Sequence, residues 1–291
     1  MQRRLKAFWE SYKYRFVPWI VANLKNRSAR SVSSSQDDIL THVEVEESLL
    51  DFFNALARND RLPSYGMETE RSCQDLESKS ESEGRQFTRG SCKMKKKKKD
   101  PLEVMFENCG FAIECSPSRL KGGGTGVLVT KGVIPRNSVV AMYPGTVYLP
   151  SEPILLQSVG NPFIFRCSDG LLIDGFNRRI SKIIYKSCSQ RDRLGTEYLS
   201  SDLTWVTKSL QNPMNVGQFV NNHTKEYSAN VAYQEFDVSH RFPIELRKYL
   251  PNVFYSANLL HQRPLRTVVL ISLRNIQAGE ELLSSYFTLI H

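Results

Sequence analysis

One pattern constrains the fold more than any other. From Gly122 onward the chain never sustains a long helical period. Runs of four to seven β-branched or aromatic residues recur at 127–130, 138–143, 163–167, 171–174, 230–236 and 267–273. Such runs read as short strands. Turn pairs cut them: Pro144-Gly145, Asn161-Pro162, Asp169-Gly170 and Ala278-Gly279. Helices are expected only around 179–188 and 243–250. The spacing is wrong for a βαβ array, in which each strand feeds a helix. A mainly β (α+β) domain of several small sheets is expected instead. At 291 residues the chain is long enough to bury a sizeable core.

Helices belong to the other end. Asp100, Pro101 and Glu103 stand at N-cap, N1 and N3 of a short helix through Leu102, Met105 and Phe106. The main domain, 101–291, is placed from there. Upstream, Ile39, Leu40, Val43, Leu49, Leu50, Phe53, Leu56 and Ala57 form an apolar stripe, with Asp37 or Asp38 as its cap. Core packing is the default for such a helix, and partner binding is the alternative. Residues 1–36 set Leu5, Phe8, Trp9, Tyr12, Phe16 and Trp19 against Arg3, Arg4, Lys6 and Lys13, with a Ser/Arg stretch after Pro18. That composition fits an import presequence, a packed amphipathic helix or a membrane-surface helix. Residues 62–92 are polar and Ser-rich, too poor in apolar surface to order themselves, and read as a linker. The lysine run 93–99 closes it. The organisation expected is 1–61 basic and helical, 62–100 linker, and 101–291 main domain.

Net charge is +9, which on its own would suggest a polyanion as partner. Its distribution argues otherwise. Residues 1–36 carry eight Lys/Arg and one acid, and 93–99 carry six Lys and no acid. Residues 101–291 hold nineteen basic and fifteen acidic residues, so no specific nucleic acid is expected there. The two basic segments are candidate contacts for import machinery. Mitochondrion and nucleus are both open as compartments, with cytosol as the default. No stretch approaches eighteen apolar residues, so no transmembrane helix is expected. The six cysteines form no C-x-x-C pair, and His223, His240 and His261 have no partner at ligand spacing. Reduced thiols and no metal are therefore expected.

Gly122-Gly123-Gly124-Thr125-Gly126 precedes a strand. It is no P-loop, since no Gly-Lys-Ser/Thr follows, and no dinucleotide fingerprint, since no helix follows. Taken alone it is a flexible loop. Its sequels carry more information: Tyr143-Pro144-Gly145, then Gln218-Phe219-Val220-Asn221-Asn222-His223, then Gly279-Glu280-Glu281-Leu282 with Tyr286-Phe287 after it. This order resembles the SET domain of protein lysine methyltransferases, which runs G-x-G, Y-x-G, F-I-N-H-S-C-x-P-N and G-E-E-L-x-x-x-Y. The likeness covers roughly 101–291.

The resemblance implies several small sheets with a C-terminal pseudoknot, and S-adenosylmethionine as cofactor. It places Gly124, Thr125, Gly126, Asn221 and Asn222 against that cofactor. Tyr286 would stand beside the methyl sulfonium, and Tyr143 and Phe287 would wall a lysine channel, making Tyr286 and Tyr143 the candidate catalytic pair. The substrate implied is a protein carrying a lysine. This sequence departs from the family at several places. Asn222-His223-Thr224 replaces His-Ser-Cys, Ala229-Asn230 replaces Pro-Asn, Thr146 stands where Glu is usual, and Ser285 stands where an acid often precedes the final Tyr. No cysteine-rich flank follows Tyr286. A catalytically silent SET fold used for protein binding is therefore the alternative. Glu280 is expected to fix a turn and Glu281 to be a half-exposed structural residue.

Overall fold

The computed structural model describes residues 30–32, 37–62, 97–194, 196–257, 259–286 and 288–290. The amphipathic run before residue 30, the polar segment 63–96 and Phe287 lie outside the described residues. Along the chain come β1 (Arg30–Val32), α1 (His42–Asp60), α2 (Pro101–Cys109), β2 (Phe111–Pro117), β3 (Thr125–Ile134), β4 (Val139–Met142) and β5 (Gly145–Tyr148). Then follow α3 (Leu155–Ser158), β6 (Ile164–Arg166), β7 (Leu172–Asp174), α4 (Arg179–Cys188), β8 (Arg193–Leu194), β9 (Glu197–Tyr198) and β10 (Asn221–Asn222). The last are β11 (Val231–Val238), β12 (Asn252–Phe254), β13 (Leu265–Ser272), β14 (Ile276–Gln277), β15 (Leu283–Ser284) and β16 (Thr288–Ile290). The expected strands are all present, and the fold is mainly β.

Among the described residues no sheet has more than four strands, so each sheet is small and the core forms between sheets. The three-stranded sheet β11-β13-β4 is antiparallel throughout and almost wholly buried. A four-stranded sheet runs β12-β5-β7-β6, and a third runs β14-β3-β2. β2 was not legible as a strand, because Glu114, Cys115 and Ser116 break any apolar alternation. It forms because β3 offers a full antiparallel edge, from Phe111 opposite Gly132 to Pro117 opposite Thr125.

Helix α1 starts later than the acid pair suggested. Its cap is Thr41, whose side chain accepts from the Glu44 amide while Glu44 accepts from the Thr41 amide at 2.7 Å. Asp37 and Asp38 lie too far upstream: Thr41-x-x-Glu44 completes a capping box that neither can match. The residues between them are used elsewhere. The Ile39 and Leu40 amides both donate to Gln234 Oε1, and Gln234 Nε2 donates to the Leu40 carbonyl. Gln234 is fully buried on β11, so the entry to α1 is stitched to the central sheet.

Val45, Leu49, Phe52, Phe53 and Leu56 then enter the same core as β11, β13 and β4. Phe53 meets Phe242 edge-on at 6.2 Å and Tyr249 at 5.5 Å. At the far end, Asp60 accepts from Tyr249 Oη and Gln211 Nε2, both at 2.7 Å, and pairs with Lys98 at 2.9 Å. Asn59 exchanges two hydrogen bonds with the Lys99 backbone. Asp100 then caps α2 through the Leu102 amide, with Pro101 at N1 and left-handed Gly110 ending the helix.

The expected helix at 243–250 is a 3-10 segment, Ile244–Tyr249. Pro243 and Pro251 leave too few residues between them, and Pro251 holds Leu250 extended. The last described turn of the chain is bonded on both sides. Glu280 and Leu282 bond the β3 backbone, while Leu283 and Ser284 bond Asn230 and His223. β15 runs parallel to β10. Segment 280–284 thus joins the glycine-loop strand to the Asn221 segment. Among the described residues no helix is long and apolar enough to cross a membrane.

Candidate functional site

Three segments distant in sequence converge on one cavity of ≈ 460 Å³. The glycine loop supplies Gly122 to Thr125, the 3-10 turn Gly217–Phe219 and the residues after it supply Gln218, Phe219 and Asn221, and the C-terminal segment supplies Tyr286. Pro162, Phe163, Phe176, Asn177 and Arg178 close the remaining side. Gly124 takes a φ of +62° with open space where a side chain would project. Only glycine holds that conformation without strain, so the loop presents bare backbone to the cavity.

Glu281 organises the wall. It is buried at 9% exposure, not half exposed as its sequence context suggested. Its Oε1 accepts from Ser118 Oγ at 2.7 Å and Asn221 Nδ2 at 3.1 Å, and its Oε2 accepts from the Arg119 amide at 2.9 Å. Hydrogen-bond donors replace the water this carboxylate loses on burial. Gly126 lies against it, and a Cβ there would run into the carboxylate. Asn221 Nδ2 also donates to the Thr125 carbonyl at 3.1 Å. One amide therefore ties the glycine loop to the C-terminal segment, and leaves Asn221 Oδ1 for other use. Glu280 does fix the turn, by accepting from the Gln277 amide and pairing with Arg274.

Asn222 does not line the cavity. Its Oδ1 accepts from the Tyr286 amide at 2.9 Å, so it positions that tyrosine. The Tyr286 hydroxyl donates to the Val220 carbonyl at 2.9 Å. One bond holds its backbone and the other its hydroxyl, so the side chain is fixed at both ends. Tyr143 lies deeper and is fully buried, with its hydroxyl donating to the Phe163 carbonyl. Burial pushes its phenol well above the usual range, and Tyr233, Tyr286 and Asp174 add to that. It keeps its proton at neutral pH, so it supports the Phe163 wall and cannot serve as a base. Phe163 stacks on Phe176 at 5.6 Å and meets Phe219 edge-on at 5.9 Å. Phe287, the other expected channel residue, lies outside the described residues.

Sequence reasoning did not find Gln218, Phe163, Phe176, Asn177 or Arg178. Gln218 and Phe219 sit inside a quoted motif, and adjacency to Asn221 was their signal. Phe163, Phe176, Asn177 and Arg178 come from a separate sheet corner and carried none. Gln218 is 4% exposed, and neither its Nε2 nor its Oε1 has a hydrogen-bond partner.

Among the described residues one group has metal-ligand chemistry: Cys167, Asp169 and Glu235. Arg266 fills it. Its guanidinium reaches Glu235 at 2.6 Å, Asp237 at 2.7 Å and Asp169 at 3.3 Å. Burial also raises the Cys167 thiol far above neutrality. A thiol that keeps its proton beside a resident cation is a poor metal ligand. Cys109, Cys115, Cys167 and Cys188 are all free.

No protein-family model matches the chain. The human protein named SET domain-containing protein 9 is 47% identical over 297 residues, covering 99% of this chain and 98% of that protein. The Pongo abelii protein of the same name is 54% identical over 190 residues, covering 65% of this chain and 68% of that one. Among solved structures, KRYPTONITE in complex with mCHH DNA, H3(1-15) peptide and SAH matches 60% of this chain and 23% of its own, at TM-score 0.32 and 20% identity. ctPRC2 bound to S-adenosylmethionine matches 63% of this chain and 16% of its own, at TM-score 0.34 and 14% identity. With a relative almost half identical along nearly its entire length, the chain belongs to the family of SET domain-containing protein 9.

Proposed function

We propose that this chain transfers a methyl group from S-adenosylmethionine to the ε-amine of a protein lysine. The observation that carries this reading is the convergence of the glycine loop, Asn221 and Tyr286 on one cavity. The lining suits the cofactor. Bare backbone at Gly122 to Gly124 permits close approach, and Phe163, Phe176 and Phe219 offer π faces to a cation. When bound, the cofactor supplies an electrophilic methyl on a sulfonium.

The protein's own task is then positioning. A lysine ammonium has a pKa of about 10.4 in water and must lose its proton to attack. Removal from water beside a positively charged sulfonium disfavours the charged form and lowers that value. The fixed Tyr286 oxygen can accept an N–H from the amine or a weak C–H contact from a methyl group. Calorimetric titration of S-adenosylhomocysteine into the full chain tests the reading, and absence of detectable binding would sink it. Tyr286→Phe should leave that binding within about threefold and reduce methyl transfer at least about tenfold, since one oriented hydroxyl is lost.

A second reading has its own observation. Both donor hydrogens of Asn221 are engaged within the protein, and Asn222 is spent on the Tyr286 backbone. The same frame can serve as a protein-binding fold without turnover. Label transfer from methyl-tritiated cofactor to any protein of an extract excludes that reading.

A further inference from the structure

Strand β16 follows the site directly, since Thr288 stands two residues after Tyr286, which lines the cavity. Among the described residues β16 pairs with one strand, β1, from the other end of the chain. The pairing is parallel, with Arg30 opposite Thr288, Ser31 opposite Leu289 and Val32 opposite Ile290. Consecutive Cα atoms lie about 3.8 Å apart and paired strands about 4.8 Å apart. Arg30 is therefore within about 12 Å of the Tyr286 backbone.

A pair of three-residue strands with no third neighbour is marginal by itself. What favours it is a tether. Residues 33–38 link Val32 to Ile39, whose amide is bonded to Gln234. A connection this short holds the segment at a local concentration on the order of mM. The pair thus closes by proximity, and another strand can take its place. Strand addition draws its affinity from main-chain bonds, so an edge that accepts one extended segment accepts others of like chemistry. The present occupant shows that chemistry. Residues 25–35 include Lys25, Arg27 and Arg30 among serines, with no acid.

We infer that the edge of β16 is a docking site for an extended basic peptide, and that residues 30–32 of this chain hold it as a built-in competitor. A peptide on this edge runs beside the tyrosine of the cavity. It binds only those molecules in which β1 has left, so its apparent Kd rises by the inverse of that fraction. The docking stands apart from the methyl-transfer reading, and its effect on turnover rests on that reading.

A fluorescein-labelled peptide of residues 25–35, titrated into the full chain and followed by anisotropy, measures the edge. Arg30→Pro/Ser31→Pro removes two strand amides from β1. It should tighten peptide binding at least about tenfold, the factor expected if β1 holds the edge about 90% of the time. Deleting residues 1–32 leaves the Ile39 bond to Gln234 in place and should do the same, so the result does not hang on one variant's folding. Ser31→Cys/Leu289→Cys joins register partners at a spacing that fits a disulfide. Its oxidised form should bind the peptide at least about tenfold more weakly than its reduced form, while oxidant leaves the wild type unchanged. Equal affinity in wild type and both opened variants, or no binding to any of them, overturns the inference. So does a crosslinked chain that binds as well as the reduced one, or a pair of cysteines that never crosslinks. With S-adenosylmethionine present, the opened variants should lower KM for a lysine-bearing peptide at unchanged kcat. If they bind peptide but transfer no methyl group, the methyl-transfer reading fails and the docking edge stands. If wild type and opened variants transfer methyl with one KM, the built-in competitor alone is overturned.

Discussion

At the scale of single residues, the site depends on polar atoms that have one available arrangement. Glu281 receives three kinds of donor: a hydroxyl, a backbone amide and a side-chain amide. Glu281→Gln keeps the shape but points an N–H at one of those donors. A buried donor against a donor is worse than a missing bond. The variant should lose about 1–3 kcal/mol in denaturant unfolding, and S-adenosylhomocysteine affinity should fall about tenfold because the glycine loop loses its anchor. Gly126→Ala should reproduce this from the other side, by pushing the carboxylate away from Asn221. Wild-type stability and affinity in both variants would show that the clamp does not shape the site.

At the scale of elements, α1 holds the central sheet by its two ends and one face. Each contact predicts a separate magnitude. Thr41→Ala removes one side of the capping box and should cost about 1 kcal/mol. Phe53→Ala empties a ring-sized site between Phe242 and Tyr249 and should cost about 3–5 kcal/mol. Asp60 adds a pH dependence. Burial pushes its carboxyl up, but hydrogen bonds from Tyr249, Lys98 and Gln211 together bring it from 3.8 down to about 2. The folded state therefore binds this proton less readily than the unfolded chain. The associated stabilisation is fully present above about pH 4 and is lost as pH falls towards 2. Unfolding curves of wild type and Asp60→Asn should thus differ most at neutral pH and converge on acidification. A difference that stays constant down to pH 2 would mean the carboxylate contributes only shape.

At the scale of the whole molecule, α1 and the sheets share one core, although the sequence separates them by a long polar segment. Asn59 and Lys99 hydrogen-bond each other, so the ends of that segment are already held together. Replacing residues 64–96 by a short Gly/Ser linker should leave the thermal midpoint within about 3 °C, since loop length costs little entropy. Deleting residues 1–61 should instead prevent cooperative folding of the remainder, read by loss of near-UV circular dichroism. It would strip five large side chains from the face of the β11 sheet. Much of this was legible in the chain. Short β runs between turn pairs gave the small sheets, Pro101 and Asp100 gave α2, and four spaced motifs gave the candidate loop, Asn221 and Tyr286. The cap of α1 was readable too, as Thr41-x-x-Glu44, but the nearer apolar stripe drew the start upstream to the acid pair. What stayed illegible has a common cause. Glu281 read as half exposed because burial of a carboxylate depends on donors supplied by Ser118, Arg119 and Asn221, each sixty or more residues away in sequence. Phe163, Phe176 and Arg178 carried no motif because a cavity wall is defined by what faces it across space. The sequence by itself determined which backbone segments could be strand, helix or turn, since those preferences are local. Only the tertiary structure decided which polar atoms were paired and which, at Gln218, were not, because pairing is settled between residues that meet only once the chain has folded.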